Sequence, residues 1–93
     1  MPTDAQPVYT VQLKKDVERT MRKLPADLRR RIQQAINAIA EEPRHPGVIA
    51  VKGFDSVYRV RVGDWRIVYL VEDEMLIVLV LEVTPRGGAY RRL

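Results

Sequence analysis

Between residues 57 and 71 the chain spells out a β-hairpin, and no other segment constrains the fold as strongly. Val57-Tyr58-Arg59-Val60-Arg61-Val62 alternates at period two, and Gly63-Asp64 is the two-residue loop, Gly first, that a type II′ turn favours. Residues 65–71 return as the partner strand. Because strand side chains alternate, this loop sets Val62 opposite Trp65, Val60 opposite Ile67 and Tyr58 opposite Tyr69 on one face, with Trp65 and Tyr69 read as core. The other face then holds Arg59, Arg61 and Arg66. Arg61 and Arg66 fall directly cross-strand, a like-charge pairing that normally costs a few tenths to about 1 kcal/mol. An anion accepting from both guanidinium forks removes that repulsion, and a phosphodiester is the natural candidate.

Upstream the period is helical. Residues 8–13 predict a short strand. Val17, Met21 and Leu24 then share one face of a helix over 14–23. Pro25 breaks that helix and suits the first turn of the next, whose stripe is Leu28, Ile32, Ala35, Ile36 and Ile39 and which stops at Pro43. Residues 48–51 predict a short strand and 52–56 a loop. Glu72-Asp73-Glu74 predicts a solvated reversal. Residues 75–83 are apolar at eight of nine positions, which predicts a strand covered on both faces and central in its sheet. The expected fold is α+β in the order β-α-α-β-β-β-β, with a two-helix hairpin packed on one face of a mainly antiparallel sheet. Residues 1–7, with two prolines, predict a flexible leader, and 8–93 one domain, since 93 residues are too few for two.

Composition excludes several classes of chemistry. The chain has no Cys and one His, which rules out a disulfide framework, a thiol nucleophile and a multi-histidine metal site, so neither a metal nor a cofactor is expected. The one imidazole, His45, lies between two prolines and reads as a loop-filling residue. The longest strongly apolar run, 75–81, is far short of the roughly 18 residues a membrane span needs. No membrane association is expected, and a reducing, cytoplasmic setting is. Twelve of the sixteen basic residues are Arg and the net charge is +4, which favours a polyanionic partner. Residues 47–93 hold seven bases and six acids, so positive potential there requires segregation, with acids in turns and arginines on one face. Arg29, Arg30 and Arg31 read as a solvated helix edge.

Three strings together resemble a known family: Pro43-Arg44-His45-Pro46-Gly47, then Lys52-Gly53, then the run from Tyr58 through Arg59, Arg61, Gly63, Asp64, Trp65 and Arg66 to Tyr69. They are similar to the RelE/ParE superfamily of toxin–antitoxin toxins over nearly the whole chain. On the RelE branch the resemblance implies a metal-independent, ribosome-dependent endoribonuclease that cuts mRNA in the decoding site, inhibits translation and is neutralised by a cognate antitoxin. It implies that Arg59, Arg61 and Arg66 bind the substrate phosphate, and that Arg66, Arg86 after the last strand and Tyr90 near the C-terminus are catalytic. Many relatives have a His-Arg pair after the last strand, where this chain has Pro85-Arg86. Without that imidazole, Tyr90 is left as the base. The resemblance also allows a ParE-like inhibitor of DNA gyrase with the same fold, or a catalytically inactive antitoxin-binding module.

Overall fold

The computed structural model describes residues 8–85. The expected leader over 1–7, and the C-terminal segment with Arg86 and Tyr90, lie outside the described residues. The elements run β1 (Thr10–Leu13), α1 (Lys15–Lys23), α2 (Ala26–Glu41), β2 (Ile49–Ala50), β3 (Val57–Val62), β4 (Trp65–Glu72) and β5 (Ile77–Pro85). The five strands form one sheet in the order β1-β5-β4-β3-β2, antiparallel except where β1 joins β5 in parallel. This is the expected α+β order.

Each helix is placed by its apolar stripe. Val17 and Met21 of α1, the following Leu24, and Ile32, Ile36 and Ile39 of α2 are buried against Ile67, Tyr69, Val71, Val78, Val80 and Val83 on one sheet face. Burying each large aliphatic is worth about 1.5–3 kcal/mol, so this layer dominates the stability. Pro25 separates the helices, and Pro43 follows α2 as expected. The segment leading into β1 is tied to α2, since the N–H groups of Val8 and Tyr9 both donate to the carbonyl of Ala40 at the end of α2.

The apolar run at 75–83 differs from expectation in two ways. Met75 and Leu76 belong to the turn, not to the strand: they are 67 % and 44 % exposed, and Leu76 takes a left-handed φ of 56°. Glu72 pairs with Ile77, which leaves four residues to close the β4–β5 reversal. The resulting strand is interior, between β1 and β4, while β4 occupies the middle of the sheet.

The second difference is a bulge. Val68 pairs with Glu82 but Tyr69 pairs with Val80, so the ladder skips Leu81. An unbroken ladder would carry Glu82 onto the same face as Val78 and Val80, inside the core, where an unpaired carboxylate is costly. The bulge resets the alternation, so Val83 joins the core and Glu82 and Thr84 face away from the helices.

That opposite face is not simply open. Val51, Val57 and Val68 are buried there, with Leu70 and Leu81 packed against them. A small second core thus underlies part of the face away from the helices.

Candidate nucleic-acid interface

The hairpin register places the arginines. Val62 pairs with Trp65, Arg61 with Arg66, Val60 with Ile67, Arg59 with Val68 and Tyr58 with Tyr69. The loop has positive φ at Gly63 (61°) and not at Asp64, as a type II′ turn requires. Arg59, Arg61 and Arg66 therefore project from the sheet face opposite the helices, with Arg61 and Arg66 as direct cross-strand neighbours. Arg61 is exposed, whereas Arg59 and Arg66 are half-buried. Arg66 in turn pairs with Thr84 of β5, and β5 runs on to Pro85, opposite Trp65. Arg86 and Tyr90, the remaining residues expected in the site, lie outside the described residues.

Two strand carboxylates share this face, Glu72 at the far end of β4 and Glu82 of β5. Glu82 stands in the row of Arg59 and Val68, two strands from Arg59 and one row from Arg66. Segregation of acids into turns is therefore incomplete: alternation along β4 carries Glu72 to this face, and the bulge at Leu81 carries Glu82 there. Val68 is only 1 % exposed although it lies on this face. The register flanks it with Arg59 and Glu82, whose long stems can shield it.

A further guanidinium reaches the hairpin tip from α2. A Cβ built on Gly63 would lie 2.7 Å from an Nη atom of Arg31, so Arg31 lies across the turn that joins Arg61 to Arg66. Within the basic triplet, Arg30 is instead held by Asp27 at 2.9 Å, one helical turn away. Helical spacing does not distinguish the three, because it does not reveal which of them reaches a distant hairpin.

The acidic turn is also not merely solvated. Asp73 accepts two bonds from the Arg44 guanidinium, at 2.8 and 3.1 Å, and one from the Tyr9 hydroxyl at 2.7 Å. Arg44 Nε donates to the Tyr58 hydroxyl at 2.9 Å, and its guanidinium lies 5.3 Å from that ring's centroid. Tyr58 stacks on Tyr69 with centroids 5.9 Å apart, and the buried Tyr69 hydroxyl donates to the Pro43 carbonyl at 2.5 Å. This chain of contacts ties together β1, the segment after α2, the hairpin and the β4–β5 turn.

Protonation follows from these contacts. Hydrogen bonds from Arg44 and then Tyr9 hold the Asp73 carboxyl below the usual range. The same bond to Asp73 pushes the Tyr9 hydroxyl up, and burial pushes Tyr69 up. Tyr9 and Tyr69 are thus held neutral more firmly than a free tyrosine, and neither is arranged as a base. His45 is engaged with its own loop, its Nδ1 lying 2.8 Å from the Pro46 carbonyl as a donor. Among the described residues no three His, Asp or Glu side chains cluster with metal-binding spacing, and no helix is long and apolar enough to cross a membrane.

A face of paired guanidiniums can hold an anion through several charge-assisted bonds at once. Comparison with known proteins agrees with the fold that builds it. A family model described as the ParE toxin of the type II toxin–antitoxin system parDE matches residues 8–90. The chain is 28 % identical over 86 residues to the putative toxin RelE1 of Methanocaldococcus jannaschii, covering 89 % of this chain and 96 % of that one. It is also 28 % identical over 85 residues to toxin RelG of Mycobacterium tuberculosis, covering 90 % and 98 %. The archaeal RelE–RelB complex from Pyrococcus horikoshii contains a chain that superposes with a TM-score of 0.75 at 30 % identity, covering 87 % of this chain and 98 % of that one.

Proposed function

We propose a mechanism for a chain that belongs to the ParE toxin family of type II toxin–antitoxin systems: it inhibits translation by cutting mRNA on the ribosome. The observation that supports this reading is the pairing of Arg61 with Arg66, with Arg59 two positions along the same face. Guanidinium groups held side by side on a sheet can both donate to one anion. Arg59 and Arg61 hold the scissile phosphate, and Arg66 balances the charge that develops on it. Tyr90 takes the proton from the ribose 2′-hydroxyl, whose oxygen attacks the adjacent phosphorus. The bond from phosphorus to the 5′-oxygen breaks, leaving a 2′,3′-cyclic phosphate on one fragment. Arg86 stabilises the departing oxygen, which takes a proton from solvent water to become the 5′-hydroxyl of the other fragment, and Tyr90 returns its proton to solvent.

A cognate antitoxin is the expected partner, as in the RelE–RelB complex that this fold resembles. An acidic segment suits the arginine face through charge complementarity.

A translation extract with added protein, in which message ends are mapped by primer extension, tests this reading. Cuts confined to translated messages are expected, lost in Arg86→Ala and in Tyr90→Phe. The second reading, binding and inhibition of DNA gyrase, is favoured by the ParE description of the matching family and by the absence of a histidine before Arg86. It predicts intact messages and blocked supercoiling.

A further inference from the structure

The short edge strand leaves an unusual space beside two of the arginines. Among the described residues β2 pairs with β3 only at Tyr58 and Arg59, so Val60, Arg61 and Val62 form an edge that no described strand covers. Against this edge lies a recess of about 290 Å³ lined by Pro46, Gly47, Ile49, Arg59, Val60 and Arg61. Its lining contains two guanidinium groups and no carboxylate, and its apolar members include Ile49, which is 50 % exposed. Gly47 borders this open space. Its φ is 97°, and a Cβ placed on it would meet nothing within 4 Å.

The backbone contributes as well. In an antiparallel ladder the main-chain groups of alternate residues point to the same side. Val51 N–H donates to the Val57 carbonyl at 2.9 Å, which fixes Val57, Arg59 and therefore Arg61 as the residues whose N–H and C=O point toward the β2 edge. Arg61 thus aims one donor and one acceptor toward this edge, at the height where β2 has already given way to Gly47.

We infer that this recess seats one nucleobase of the RNA strand, the nucleotide next to the phosphate held by the arginine face. The inference rests on the nuclease reading above. Ile49 and Pro46 supply the apolar surface on which a base face lies, and Arg59 or Arg61 takes the adjoining phosphate. The Arg61 peptide meets donor and acceptor groups on the base edge. Phosphate contacts carry no sequence information, whereas a backbone donor–acceptor pair on a base edge does, so this seat gives the toxin its base preference.

The test uses the full chain at low ionic strength and a short RNA carrying 2′-O-methyl groups, which cannot be cut by 2′-hydroxyl attack. Binding is measured by fluorescence anisotropy for the intact oligonucleotide and for versions abasic at each position in turn. The base is expected to strengthen binding about 5- to 10-fold at one position, in line with the stacking of a single base. Ile49→Ala should remove that difference while leaving the abasic affinity unchanged, and the half-exposed position makes the variant safe for the fold. Equal affinity for intact and abasic RNAs, or a base effect that survives Ile49→Ala, would overturn the seat while leaving phosphate binding intact. No binding to any RNA would overturn the seat and count against the nuclease reading as well.

Discussion

Arg61 and Arg66 face each other across the β3–β4 ladder, beside a two-residue turn that gives neither backbone freedom to draw back. Arg61 is exposed, so its charge contributes repulsion more than packing in the isolated protein. Arg61→Thr substitutes a good strand former and removes half of the like-charge pair. Urea denaturation should show the variant more stable than wild type by a few tenths to about 1 kcal/mol. The gain should shrink as salt screens the wild-type repulsion.

Tyr69 closes the contact between the sheet and the end of α2. Phe at this position keeps the ring and its stacking on Tyr58 but removes the hydroxyl that donates to the Pro43 carbonyl. Since residue 43 is buried, its carbonyl loses a partner that water cannot easily replace. Tyr69→Phe should cost about 1–2 kcal/mol in a urea titration, with the fold retained.

Gly63 is required at the hairpin tip by its φ of 61° as the first loop residue. Gly63→Ala should cost more than about 1 kcal/mol from backbone strain. Because the three nearest atoms a new Cβ would meet all belong to the end of the flexible Arg31 side chain, combining the change with Arg31→Ala should recover little of that loss. A double-mutant cycle from denaturation midpoints measures the coupling.

Asp73 makes stability depend on acid. Its carboxyl titrates below the usual range in the folded protein because Arg44 and Tyr9 bond to the ionised form. The unfolded chain therefore binds the proton more readily, and the stabilisation is fully present above the ordinary value of about 4. It is lost as pH falls through the depressed folded value. Asp73→Asn removes this dependence, so urea midpoints of wild type and variant should converge toward acid pH and separate near neutrality.

Much of this structure was legible because local rules agreed. Residues 57–71 carried both the alternation and the turn, so the register, and with it the opposition of Arg61 to Arg66, followed from counting. The helical stripes were equally plain at Val17, Met21, Ile32 and Ile36. The features that local pattern does not carry depend on contacts distant in sequence. Asp73 looks solvated until Arg44, 29 residues earlier, folds against it. Arg31 resembles Arg29 and Arg30 until α2 lies beside the hairpin. The run at 75–83 is apolar at almost every position, so it carried no parity from which the bulge at Leu81 or the outward turn of Glu82 could be read. Arg86 and Tyr90 lie outside the described residues, and their part in the site stands as proposed.

In the proposed function, the paired arginines on the sheet face opposite the helices hold the RNA that is cut. The most direct measurement is primer-extension mapping of a translated message treated with wild type and with Arg61→Thr/Arg66→Thr, after circular dichroism has shown both to be folded. Cuts within codons are expected for wild type and none for the variant. Cutting by the variant at the wild-type rate and positions would contradict that role for the arginines.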